Sequence, residues 1–119
     1  MSTSAAIIEK TEMGYRGIYC NFDGYHSEVG EILKEHYQYP AKITALIDLG
    51  DISLLGERIN PIGKHSWKYP EAGTTVAYHR DREEEIILPR IGITYEEVAY
   101  AIGADYNYIF EDGKWLYGC

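Results

Sequence analysis

A chain of 119 residues with 19 Asp and Glu against 11 Lys and Arg is one domain long and carries a formal charge of −8. That balance excludes sequence-independent nucleic-acid binding, which needs a net basic footprint, and disfavours an anionic membrane surface. No apolar run approaches the ~20 residues of a membrane span, and "MSTSAAIIEK" lacks the basic and then apolar order of a secretory leader, so a soluble cytoplasmic protein is expected.

Residues 1–13 read as a loosely held lead-in to a single domain spanning 1–119. "YRGIYCNF" (15–22) follows as a strand, with Ile18, Cys20 and Phe22 on one face and Tyr15, Gly17 and Tyr19 on the other. After "DGY" the spacing of Val29, Ile32, Leu33, His36 and Tyr37 predicts a core-facing helix, with Ser27 as its N-cap. A second helix is predicted over 40–49, opened by Pro40, striped by Ile43, Leu46 and Ile47, and stopped by Gly50. The stretch 50–73 is dense in Gly and Pro, and connections this long are functional or disordered more often than not. Its Ile52, Leu54, Leu55, Ile59, Ile62 and Trp67 argue for order.

"TTVAYHR" (74–80) reads as a strand and "EEIILPRIGI" as a short extended piece. In "TYEEVAYAIG" (94–103), Thr94 and Glu97 make a capping box and Gly103 a stop. "YNYIFEDGKWLYGC" (106–119) predicts two strands turned at Asp112-Gly113. The order of elements gives an α+β fold, an antiparallel sheet with two to three helices packed on it.

Several chemical motifs fail on spacing. "HRD" at 79–81 lacks the kinase asparagine five residues on, where Ile86 stands. "GERINPIGKHS" puts six residues between Gly56 and Gly63 where a phosphate-cradling loop has four, and "NFDG" lacks the alternating carboxylates of a calcium loop. Cys20 and Cys119 are too few for a structural zinc, and cytosolic thiols are expected of them. His79 and Asp81, two apart on one strand face, are an acid–base candidate without a marked nucleophile.

The arginines carry the stronger signal. Strand alternation places Tyr78, Arg80 and Arg82 on one face, an aromatic plane beside two guanidinium forks. Arginine binds phosphate bidentately and stacks on flat rings. Trp67 and Arg58 from the long loop, and Arg90, are candidates to close over that site. Twelve tyrosines suit interfaces and stacking pockets, since each offers apolar area with a hydroxyl.

"YRGIYCNFDGYHSEVGEILKEHY" (15–37), "LGDISLLGE" (49–57), "TVAYHRDR" (75–82) and the closing aromatic hairpin resemble, in order, the phage Thoeris anti-defence protein 1 family. The resemblance implies a non-enzymatic sponge that sequesters glycocyclic ADP-ribose made by bacterial TIR-domain proteins, inside the infected host cell, with no cofactor. It implies homo-oligomers, dimers assembling to hexamers with signal pockets between subunits, and in some members separate sites for cyclic oligonucleotides. Family pockets set an aromatic ring on the adenine, with arginines and an asparagine on phosphates and riboses. The residues matching by type are Tyr78 or Trp67, then Arg58, Arg80, Arg82 and Arg90, and Asn107 for base or ribose. The alternatives are a small phosphodiesterase-type hydrolase using His79 and Asp81, or a structural phage protein-interaction module.

Overall fold

A computed structural model describes residues 3–118. Its strands are, in chain order, β1 (Ala5–Thr11), β2 (Gly14–Cys20), β3 (Ile52–Leu54), β4 (Val76–Ala77), β5 (Arg90–Gly92), β6 (Tyr106–Glu111) and β7 (Lys114–Gly118). They form one sheet in the order β4-β3-β2-β1-β6-β7, with the short β5 alongside β2. Four pairings are antiparallel; β1 with β6 and β2 with β3 are parallel. The helices are α1 (Glu31–His36), α2 (Pro40–Asp48), α3 (Tyr78–Arg82) and α4 (Tyr95–Ile102). The fold is therefore α+β, as the order of predicted elements implies, and the sheet expected to be antiparallel is mixed, mostly antiparallel with two parallel pairings.

The expected loose lead-in is overturned. Ala5, Ala6, Ile7 and Ile8 have no exposed surface, and β1 pairs with both β2 and β6. Ala5 and Ile7 enter one core with Ile18, Leu33, Ile43, Leu46 and Tyr108; Ala6 and Ile8 enter a second, beneath α4, with Val98, Ile102 and Ile109. A strand buried on both faces shows no polar alternation, the signal by which half-buried strands are recognised. Of the lead-in, residues 1 and 2 lie outside the described residues, as does Cys119.

Other elements follow their local chemistry. Pro40 opens α2 at a position where its missing N–H has no helical acceptor, and Ile43, Leu46 and Ile47 are its buried stripe. Thr94 Oγ1 accepts from the Glu97 N–H at 3.2 Å, and Gly103 ends α4 at φ 69°. The β6–β7 turn holds Asp112 and Gly113 at φ 53° and 77°, the doubly positive pair that suits the twist of a two-residue hairpin.

The helix expected after "DGY" begins as a single π-helical turn, His26–Gly30, and Ser27 makes no cap bond there. Val29, Leu33 and Tyr37 are buried as predicted, but the His36 side chain is exposed, near Glu35 and Glu57. β2 ends at Cys20, and Phe22, expected on one face with Ile18 and Cys20, is 43% accessible where those two are buried. Burial raises the Cys20 thiol pKa to about 12, so it packs as a small apolar side chain. Among the described residues no helix is long and apolar enough to cross a membrane.

Candidate functional site

The run 74–80 is the main departure from expectation. Only Val76 and Ala77 form a strand, and the chain then turns into α3, which Glu83 stops at φ 57°. The cause is Asp81, whose Oδ2 reaches back to the Ala77 N–H at 2.7 Å and satisfies a donor at the helix start. Helical geometry puts residues four apart on one face and residues two apart on opposite sides. Tyr78 and Arg82 therefore share a face and Arg80 leaves it.

That face meets Trp67 from the long loop. The Trp67 and Tyr78 ring centroids are 5.3 Å apart at 38°, and the Arg82 guanidinium lies 4.9 Å from the Trp67 centroid. Arg82 is half-exposed and near the exposed Glu84 carboxylate, at 3.4 Å. Burial raises the Tyr78 phenol above its ordinary value, opposed by hydrogen bonding to the Ser53 and Asn21 side chains. Two hollows flank the ring pair. One, about 220 Å³, is lined by Tyr19, Asp51, Tyr78 and Ile87; the other, about 340 Å³, by Phe22, Ser53, Trp67 and Pro70.

Arg80 turns inward. It binds Asp81 with Nε at 2.9 Å and Nη2 at 3.0 Å, and donates to the carbonyls of Ile59 at 2.6 Å and Thr75 at 2.7 Å. Arg58 is likewise engaged with Glu57, the Ala72 carbonyl and Thr74, its Nε buried without a partner among the described residues. Arg90 grips Asp51, whose Oδ1 also accepts the Tyr19 N–H, and so ties β5 to the start of β3. Asn107 sits on β6 between Ala6 and Gly118, two strands from Tyr19, with a buried Oδ1 that has no hydrogen-bond partner among the described residues. Of the seven predicted residues, Trp67, Tyr78 and Arg82 come together; Arg58, Arg80 and Arg90 are spent on internal anions and carbonyls, and Asn107 stands apart.

His79 and Asp81 do not form a pair. His79 Nδ1 is 2.7 Å from the Glu84 carbonyl, whereas Asp81 faces Arg80, the Ala77 N–H and the buried His65. His65 Nδ1 accepts the Glu71 N–H at 2.9 Å, which leaves its proton on Nε2, 3.2 Å from Asp81 Oδ2 but off the line of a hydrogen bond. Burial disfavours the charged Asp81, but Arg80, the Ala77 N–H and His65 outweigh it and leave its pKa lowered. Among the described residues no three His, Cys, Asp or Glu side chains are placed to hold a metal ion.

The loop bearing Trp67 is pinned from within. Glu71 accepts from the Thr74 hydroxyl at 2.6 Å and from the N–H groups of Ile62 and Gly63 at 3.0 and 2.7 Å. The Thr74 bond, these two N–H groups and Arg58 lower its pKa from 4.5 to about 2. A carboxylate with a depressed folded pKa stabilises above its unfolded pKa and loses that contribution as pH falls toward the folded one. Between pH 4.5 and about 2, the protection of the Ile62 and Gly63 amides, their exchange measured against the intrinsic rate at each pH, is therefore expected to fall before global unfolding. Glu71→Gln should lower that protection already at neutral pH and flatten its acid dependence.

Alternation along the predicted run 15–22 puts Asn21 with Tyr19, a signal that would have added Asn21 to the site; Ser53 has no comparable mark in the sequence. Comparison of the chain with protein-family models, with curated proteins and with solved structures finds no match.

Proposed function

We propose that the chain is a sponge for a small cyclic nucleotide immune signal, glycocyclic ADP-ribose by the resemblance, held in the cytoplasm of an infected bacterium without cleavage. The observation that carries this reading is the Trp67–Tyr78 ring pair with the Arg82 guanidinium beside it. A nucleobase stacks on such a ring for ~1–3 kcal/mol, and a guanidinium is the side chain best shaped for a phosphate.

Nanomolar retention requires about −12 kcal/mol, more than one ring and one half-exposed arginine supply. Hollows of about 220 and 340 Å³ also leave much of a dinucleotide uncovered. Both shortfalls fit a site completed by a second subunit, where excluded water strengthens the charged contacts. The exposed apolar run of Ile87, Leu88, Ile91 and Ile93, 55%, 69%, 81% and 77% accessible, offers a surface for such assembly. The same run favours a second reading, a protein-interaction module of the phage. A captured protein partner with no thermal shift from any nucleotide would select it.

The deciding experiment incubates the protein with glycocyclic ADP-ribose, removes free ligand, heat-denatures the complex and assays the supernatant. Recovery of intact signal is expected; an altered molecule or none refutes the proposal. Trp67→Ala should weaken binding by about 5- to 150-fold, the loss of one stacked base. Arg82→Ala should weaken it with unchanged thermal stability. Calorimetric titration measures both.

A further inference from the structure

We propose a second ligand site at the other edge of the sheet, in the groove between α1 and the β6–β7 hairpin. It takes a small aromatic acid whose flat ring carries an O–H or N–H donor. The groove holds about 680 Å³, within the size range of small-molecule sites. It lies against β7, whereas the Trp67 corner lies by β3 and β4 at the opposite end of the strand order.

Its walls are aromatic and its base is fixed. Trp115 donates Nε1–H to the Tyr37 carbonyl at 2.8 Å and packs edge-on against Phe110 at 5.2 Å. Tyr39 and Tyr117, 72% and 68% accessible, leave ring surface open to a planar guest. Offset or tilted ring pairs are favourable beyond the area they bury.

His26 supplies the directional contact. Its ring centroid is 4.2 Å from that of Tyr117, and its Nδ1 is 3.2 Å from the Tyr108 hydroxyl. The single Tyr108 hydroxyl hydrogen goes to the Gly24 carbonyl at 2.6 Å, so in the His26 contact the donor is Nδ1–H. The neutral ring then carries a lone pair on Nε2, which has no protein partner among the described residues. That atom accepts a hydrogen bond from a ligand.

Charge sets the class. Lys34 of α1 and Lys114 of β7 line the groove and make no ion pair among the described residues; Glu31 is the one carboxylate lining it. Two ammonium groups against one carboxylate favour an anion in a protein of formal charge −8. Ring, anion and donor together describe an aromatic acid such as a hydroxyphenyl carboxylate.

The test titrates the full chain with 4-hydroxyphenylacetate, following backbone amide shifts by NMR. Saturable binding is expected, with shifts centred on His26, Lys34 and Tyr117 and none at Trp67. Acetate, p-cresol and 4-methoxyphenylacetate, which lack the ring, the charge and the donor respectively, should each bind at least about tenfold more weakly. Joint Lys34→Ala and Lys114→Ala, both at exposed positions, should weaken binding at least about tenfold with unchanged thermal unfolding. No saturation, equal affinity for the methoxy compound, no effect of the lysine pair, or shifts centred on Trp67 would overturn the proposal. Apart from shifts centred on Trp67, none of these results bears on the Trp67–Tyr78–Arg82 reading, which shares no residue with this groove.

Discussion

Arg80→Ala should lower the unfolding free energy by about 3 kcal/mol, while Arg82→Ala, two residues on, should change it by less than about 0.5 kcal/mol. The difference comes from where α3 points each side chain. Arg80 closes two bonds on Asp81, only 6% exposed, and two more on the carbonyls of Ile59 and Thr75. Its removal strands a buried carboxylate and leaves two carbonyls in the long loop without their donor. Breaking a buried pair from one side costs about 3–5 kcal/mol; the lower end applies because Arg80 itself keeps 26% exposure. Urea unfolding measures it as a lower midpoint at constant slope. Removing Asp81 as well should cost less than the two single changes summed, because the orphaned charge goes with it. An unchanged midpoint for Arg80→Ala would mean that Arg80 does not pin the loop in solution. Any ligand-binding loss in this variant is ascribed first to an unpinned Trp67 loop, which is why Arg82 and Trp67 are the cleaner tests of the site.

The same two arginines show how far local pattern reaches. α2, α4 and the hairpin were legible because each carries its own start and stop: Pro40 and Gly50, Thr94 with Glu97 and Gly103, and Asp112-Gly113. In 74–82 the strand pattern was cut short by Asp81 bonding the Ala77 N–H, a contact four residues back that alternation does not weigh. Strand geometry put Tyr78, Arg80 and Arg82 on one face, whereas α3 keeps Tyr78 and Arg82 together beside Trp67 and turns Arg80 away. Arg58 and Arg90 were taken as free forks, whereas folding brings the Ala72 carbonyl and Thr74 to Arg58 and Asp51 to Arg90 from elsewhere in the chain. The greatest loss was β1, since "AAIIEKT" buries both faces and shows neither the strand period nor the helical one.

Ile7→Ala should therefore cost about 2–5 kcal/mol, a large share of the ~5–15 kcal/mol that holds a domain together. Ile7 is fully buried, with Ile18 beside it on β2 and Tyr108 beside it on β6. The lost methyl and methylene groups leave a cavity that a three-layer core closes only in part. Met13→Ala, in the neighbouring turn and 91% exposed, should fall within about 0.5 kcal/mol. The strand also closes the chain on itself. Ser4 N–H and Oγ reach Asp105 Oδ2 at 3.0 and 3.2 Å, and Asp105 N–H returns to Ser4 Oγ at 3.0 Å, across 101 positions of sequence. Parallel pairing with β6 forms only after that long loop is closed, so it draws no help from local structure. Truncation before residue 12 should then abolish cooperative unfolding rather than trim a tail, because β2 and β6 lose the strand between them and α4 loses the floor made by Ala6 and Ile8. A truncated chain that still melts in one sharp transition would show that β1 is an accessory to the domain, and Ile7→Ala with no shift in urea midpoint would show it independently.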